Sequence, residues 1–300
     1  MKPRMRVLVA TDGSEDACAA VTWLETFPLP PDAEVRVLTV ERTPYVSGAA
    51  FLLATEPTFH HSALRIAADA RDALRQRFPD AESTVLEGDP RELISRVAEG
   101  WGADLCVMGA RGLGAVKAWL LGSVSTAVAR WAPCPVLVVQ GHPAPVMGKA
   151  VIALDGSVGA MAAARFFASL PLGPALHVRL ISAVESALVH FAARGIGLSE
   201  VRTMAAHAEA RQTVTMQSVL RAAEAPFRNR VAEVESDVVI GRPADVIVEA
   251  AEHPDVGLVV MGARGLSVLD RLLLGSVSEH VLHRAPCPVL IVRPDRRTNR

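Results

Sequence analysis

Lysine is almost missing from this 300-residue chain. Lys2, Lys117 and Lys149 stand against 28 arginines, a skew that reads as genomic codon bias rather than a special use of arginine. Aromatic side chains are scarce too, at 4% with a single tyrosine, too few for a platform on which bases stack. Neither sign of charge dominates. A formal net charge of −1 argues against a protein that coats nucleic acid or an anionic membrane, and neither partner is expected. Cysteine is sparse. Cys18, Cys106, Cys134 and Cys287 form no Cys-x-x-Cys pair, which disfavours a zinc cluster, a thioredoxin-like centre or a disulfide framework. A reducing, cytoplasmic compartment is the expectation. No run approaches the ~20 apolar residues of a membrane span. The run Val7–Ala10, cut by Thr11 and Asp12, is too short for a signal peptide.

What the chain does have is apolar material and a repeat. Half of its residues are hydrophobic and 21% are charged, enough for sizeable cores. Residues 108–139 and 261–292 are identical at 20 of 32 positions, at an offset of 153. Further upstream Ala10-Thr11-Asp12-Gly13-Ser14 matches Ala153-Leu154-Asp155-Gly156-Ser157 at an offset of 143. The second copy therefore carries ten extra residues between its second and third strands. Gly141–Pro145 has the composition of a linker. Two homologous domains are expected, residues 1–143 and 144–300.

Each copy alternates short apolar runs with segments of helical periodicity. Met5–Thr11, Val35–Val40, Asp104–Met108 and Pro135–Val139 read as strands, as do Val178–Ala183, Gly257–Met261 and Pro288–Val292. Ala17, Ala20, Val21 and Leu24 recur at helical spacing, with Glu15 and Asp16 at the positive end of the dipole. Long amphipathic helices are expected within 60–78 and 201–224. Asp89-Pro90-Arg91-Glu92 has the form of a capping box with proline at the first helical position. Strands that are continuously apolar and separated by helices imply a parallel sheet covered on both faces. The fold class is thus α/β, two doubly wound units of about five strands each.

Ligands of such sheets sit beyond the carboxyl ends of the strands. Two loops stand out there. One is Thr11-Asp12-Gly13-Ser14. The other spaces Gly109, Gly112, Gly122 and Ser123 as G-x2-G-x9-G-S, repeated as Gly262, Gly265, Gly275 and Ser276. Gly122-Ser123 opens a helix striped by Val124, Ala127, Val128 and Trp131. Free amides at such an N-terminus receive anions. Ser123 and Ser125 can donate hydrogen bonds, and Arg111 can pair with phosphate. The same glycines are also ordinary turn residues, Ser123 could be an N-cap, and Asp12 could cap the first helix. No P-loop lysine motif is present. His60-His61 shows no metal partner in the sequence, and His280 and His283 read as solvated helix residues.

Taken together, these segments resemble the universal stress protein family in its tandem-domain form. The carriers are Ala10–Ser14, Gly88-Asp89-Pro90, the strand into Gly109, the glycine–serine motif and Ala132-Pro133-Cys134-Pro135-Val136-Leu137. In that family the glycine–serine motif marks the ATP-binding branch. The resemblance implies a Rossmann-like strand order of 3-2-1-4-5 and two ATP sites, with or without magnesium. Ala10, Thr11 and Asp12 would then face adenine and ribose, and Val40 would offer adenine its backbone. Met108 and Gly109 would flank ribose and phosphates, and Arg111, Gly112, Gly122, Ser123, Val124 and Ser125 would line the phosphates. The matching second set is Ala153, Asp155, Ala183, Met261, Gly262, Arg264, Gly265, Gly275, Ser276, Val277 and Ser278. Leu154 in place of Thr11 loses a hydroxyl. The resemblance also implies that Val136–Val139 and Val289–Val292 pair antiparallel within one chain. Homodimerisation of the whole chain is compatible with the sequence but not written in it. No general base stands near the phosphate loop, so a regulatory nucleotide-binding module of the stress response, with slow or no hydrolysis, is expected. A nucleotide-dependent hydrolase and a scaffold with a structural nucleotide are the alternatives.

Overall fold

The computed structural model describes residues 4–42, 57–113, 121–140, 147–186, 198–265 and 274–294. The expected linker, Gly141–Pro145, lies outside them. The first half runs β1 (Arg6–Ala10), α1 (Glu15–Leu24), β2 (Glu34–Glu41), α2 (Pro57–Arg75), β3 (Glu82–Glu87), α3 (Pro90–Trp101), β4 (Leu105–Gly109), α4 (Ser123–Trp131) and β5 (Val136–Val139). The second repeats it as β6 (Lys149–Ala153), α5 (Val158–Ser169), β7 (His177–Val184), α6 (Leu198–Glu224), β8 (Glu233–Ile240), α7 (Pro243–Ala251), β9 (Val256–Gly262), α8 (Ser276–Arg284) and β10 (Val289–Val292), with one 3-10 turn at Ala225–Phe227. Part of the inserted length extends a helix, since α6 has 27 residues against 19 in α2.

Among the described residues ten strands form one sheet, in the order β3-β2-β1-β4-β5-β10-β9-β6-β7-β8. Each half is parallel and follows 3-2-1-4-5. The halves join where β5 and β10 pair antiparallel, Val138 opposite Val289 and Leu137 opposite Leu290. This intrachain pairing is the one the resemblance implies. It removes an apolar edge that a lone domain would expose, for all four β5 side chains are at most 1% exposed. Burial of each is worth about 1.5–3 kcal/mol. Because side chains alternate along a strand, Leu137, Val139, Leu290 and Val292 enter the core layer under α1, α2, α5 and α6. Val136, Val138, Val289 and Ile291 enter the opposite layer under α3, α4, α7 and α8. Both layers are continuous across the junction. Polar contacts follow the same seam: Arg130 pairs with Glu279 at 3.0 Å, Gln140 donates to the Cys287 carbonyl, and Arg293 donates to the carbonyls of Ala129 and Arg130.

Two arginines that the repeat places 153 apart tie down the far end of the fold. Arg77 donates to the carbonyls of Leu24, Glu25, Phe27 and Leu29 at 2.6–3.1 Å, closing the loop that leaves α1. Arg230 does the same for Ala168 and Leu170 after α5. Arg77→Ala should lower stability by about 2 kcal/mol, the worth of hydrogen bonds from a charged donor, read by calorimetry as a lower Tm.

Three of the four thiols are buried. Burial pushes the Cys134 and Cys287 thiols up to about 12 and Cys106 well above its ordinary value. Cys18 is exposed. A thiolate reagent at neutral pH should therefore modify one cysteine per native chain and four after denaturation.

Candidate functional site

β1 lies between β2 and β4, and its crossover to β2 runs opposite to the one that leads to β4. A crevice opens at the carboxyl ends of such a strand pair. Ala10 and Met108 are register partners there, both buried, and Ala153 and Met261 repeat the pairing between β6 and β9. Val40 and Ala183 lie near the ends of the adjoining strands β2 and β7.

The turn after β1 is held by its own side chains. Asp12 Oδ1 accepts from the Ser14 amide at 3.0 Å, and Thr11 Oγ1 accepts from the Gly13 amide at 3.3 Å. Gly13 has φ of +76°, a left-handed conformation that glycine adopts without strain. Asp12 is not the helix cap that the sequence allows. Ser14 is: its Oγ accepts from the Ala17 amide and donates to the Arg111 carbonyl at 2.9 Å. The second copy behaves alike, with Asp155 accepting from Ser157, and Ser157 capping α5 and donating to the Arg264 carbonyl. The Thr11 hydroxyl thus serves the turn, and Leu154 gives up that bond.

Asp12 also reaches across the crevice. Its Oδ2 accepts from the Leu113 amide at 3.1 Å. That approach explains Gly112, because a Cβ there would sit 2.4 Å from Asp12 Oδ2. Gly265 and Asp155 show the same distance. Gly109 is required for a different reason: a Cβ would lie 2.5 Å from the Ala17 nitrogen and 2.6 Å from the Asp16 carbonyl carbon. Gly262 faces Ala160 and Gly159 in the same way. Glycine at 109 and 112 therefore brings strand, helix and loop together, and neither position has positive φ. The sequence reading had assigned these glycines to turns or to close approach of a ligand.

The loop then closes on itself. The Gly122 amide donates to the Ala110 carbonyl at 2.9 Å, and the buried Ser125 hydroxyl donates to that carbonyl at 2.6 Å. Gly275 bonds Ala263, and Ser278 bonds the Gly262 carbonyl at 2.9 Å. The Ser125 and Ser278 hydroxyls, which the resemblance places along the phosphates, thus donate to backbone carbonyls. Ser123 is not the N-cap; Gly122 is, with no side-chain hydrogen bond to the first turn, and Gly275 caps α8 identically. Helices α1, α3 and α5 do receive such a bond, from Ser14, Asp89 and Ser157, while α7, with Arg242 as its N-cap, does not. The first turns of α4 and α8 consequently present amides without a capping side chain, beside the exposed Ser123 and Ser276 and the partly buried Val124 and Val277. Residues 114–120 and 266–273, between the motif glycines, lie outside the described residues.

Arg111, which the resemblance places beside the phosphates, has a partner within the protein. Its guanidinium is held by Asp16, with Nε donating to Oδ2 at 2.8 Å and Nη2 to Oδ1 at 3.0 Å, and its amide also donates to Oδ2. Asp16 is buried and answers the charge that the sequence reading had reserved for phosphate. Its carboxylate raises the pKa of Arg111, which stays cationic. Sequence had marked Asp16 as a residue of the helix dipole alone; its partner is 95 positions away, and no motif joins them. The histidines among the described residues are dispersed. His60 reaches Glu41 at 3.1 Å, and His280 turns its Nε2 inward, 3.8 Å from Asp245, rather than to solvent. Among the described residues no three His, Cys, Asp or Glu side chains gather as a metal site, and no helix is long and apolar enough to cross a membrane.

Comparison with known proteins agrees with this architecture. The model of the Universal stress protein family matches residues 3–140 and again 147–293. Universal stress protein Rv2005c of Mycobacterium tuberculosis is 28% identical over 319 aligned residues, covering 97% of this chain and 99% of its own. A universal stress protein of Mycolicibacterium smegmatis is 27% identical and covers 96% and 97%. Among solved structures, a universal stress protein of Archaeoglobus fulgidus superposes with a TM-score of 0.65 at 22% identity, over 96% of this chain and 98% of the other. Two family matches end to end, on two copies of one fold, place this chain in the universal stress protein family.

Proposed function

We propose that the chain binds an adenine nucleotide, ATP in the first instance, at each of its two crevices, and acts as a regulatory binding module rather than as an enzyme. The observation that carries this reading is the pair of uncapped helix starts at Gly122 and Gly275. Each follows β4 or β9, the strand beside which the order reverses, and its first-turn amides have no capping side chain. Amides and dipole there suit phosphate, and Ser123 or Ser276 adds an exposed hydroxyl. Adenine and ribose would lie over Ala10, Thr11 and Asp12, against the Val40 backbone, and over Ala153, Asp155 and Ala183 in the second copy. Magnesium would arrive on the triphosphate, since Asp12 already holds two amides.

Slow or no hydrolysis follows from the same geometry. Two carboxylates beside the loop are engaged, Asp12 by backbone amides and Asp16 by Arg111, so neither of these stands ready to activate water. One set of contacts favours a second reading, a scaffold in which the loop is only structural: Gly109, Gly112 and Ser125 all have partners within the protein. Purified protein is to be denatured and its supernatant assayed for adenine nucleotide, alongside thermal shifts with ATP. Nucleotide in the supernatant or a clear rise in Tm supports the binding module. Neither outcome leaves the scaffold, and turnover near ~1 per second makes it a hydrolase.

A further inference from the structure

The two crevices are copies in which one local pair of charges is present in the first and absent from the second. At the start of α1 stand Glu15 and Asp16; at the start of α5 the same positions are Val158 and Gly159. Asp16 is 4% exposed and grips Arg111 through its amide, Nε and Nη2. Glu15 lies close enough to act on Arg111 through space. Gly159 offers no carboxylate, and its bare Cα lets the Arg264 carbonyl approach, 3.1 Å from where a Cβ would be. Val158 is 72% exposed and uncharged. The rest of the motif, from Met108 to Gly112 and from Gly122 to Ser125, is identical in the second copy. The first crevice therefore carries two carboxylates, Glu15 exposed and Asp16 buried against Arg111, at positions where the second has none, whatever else Arg264 touches.

We infer that Glu15 and Asp16 set the charge preference of the two sites: the first tolerates few phosphates and discriminates weakly between ATP and AMP, and the second favours the triphosphate steeply. The inference rests on the nucleotide reading. A carboxylate near the phosphate loop repels each added phosphate charge. It also holds the Arg111 amide and guanidinium away from a ligand, which makes Asp16 a specificity-determining residue.

The test is calorimetric titration of the full chain with ATP and with AMP, one site at a time. Ser276→Asp blocks the second site and Ser123→Asp the first. In the Ser276→Asp background, Asp16→Asn should raise the preference for ATP over AMP by about tenfold, since the amide keeps the shape of the carboxylate without its charge. In the Ser123→Asp background, Val158→Glu, at an exposed position that accepts any side chain, should lower that preference by about threefold. An unchanged ATP-to-AMP ratio in Asp16→Asn protein that still binds nucleotide overturns the inference alone. So does weaker ATP binding, which would make Asp16 a positioner of Arg111 for the ligand. Failure of the unmodified chain to bind either nucleotide overturns the nucleotide reading, and this inference with it.

Discussion

Replacing Ser123 and Ser276 together by aspartate should empty both crevices while leaving the fold intact. Each serine is the first residue of its helix, preceded by a glycine N-cap that makes no side-chain hydrogen bond, and each is exposed. An acidic residue in a first helical turn is favourable by about 0.3–1 kcal/mol, so Tm should hold or rise slightly. The same carboxylate would stand where the ligand's phosphate is proposed to sit. It would lose the hydroxyl's charge-assisted hydrogen bond, worth about 1.5–3 kcal/mol, and add like-charge repulsion. Together these should weaken ATP at least ~100-fold. Retained nucleotide in a folded double variant would place the phosphates elsewhere. With nucleotide saturating both crevices, a single variant should lose about half of what is bound.

Gly109→Ala is expected to be the most damaging single methyl in the first half. The new Cβ would lie 2.5 Å from the Ala17 nitrogen and 2.9 Å from its Cα, and these are backbone atoms of α1 that no rotamer change can move aside. Overpacking of this kind costs typically 1–3 kcal/mol and sometimes more. With backbone on both sides we expect about 3 kcal/mol, roughly 6–12 °C in Tm. The helix would also carry Asp16 away from Arg111. Gly262→Ala should behave alike, at 2.7 Å from the Ala160 nitrogen. Alanine at 109 with unchanged Tm would show that α1 packs on β4 more loosely than these distances state. In contrast, Gly100 lies inside α3 with nothing within 4 Å of a built Cβ, and Gly100→Ala serves as the control that should hold or slightly raise Tm, since alanine favours a helix by up to about 1 kcal/mol over glycine.

These expectations show where the sequence could be read and where it could not. Strands such as Val7–Ala10 and Leu105–Met108 were legible because both faces of a parallel sheet are buried, which leaves an unbroken apolar run. Asp89 and Pro90 marked the start of α3, and the structure finds Asp89 capping it, though Glu92 turns to Arg96 rather than completing the box. The loop motif was legible as spacing. Its meaning was not: spacing cannot separate a glycine that admits a ligand from one that admits a neighbouring helix, and Gly109 is of the second kind. Ser125 looked like a donor to a ligand and proves to be a donor to Ala110. Arg77 and Arg230 were invisible, because a guanidinium that collects carbonyls from another segment leaves no local pattern.

The sequence by itself determined that this chain is one α/β unit written twice, with Asp12 and Asp155, the spaced glycines and the serines at the carboxyl ends of the strands. That much follows from periodicity, punctuation and repetition, which are local or self-referring. Only the tertiary structure decided which atoms face one another. It turned Asp12 toward Leu113 and joined Asp16 to Arg111 across 95 residues. It also left the amides of α4 and α8 uncapped. The physical reason is that a charge or a hydrogen-bonding group takes its role from the partners that folding brings within about 3 Å, and those partners are chosen by the packing of distant segments rather than by the residues beside it in the chain.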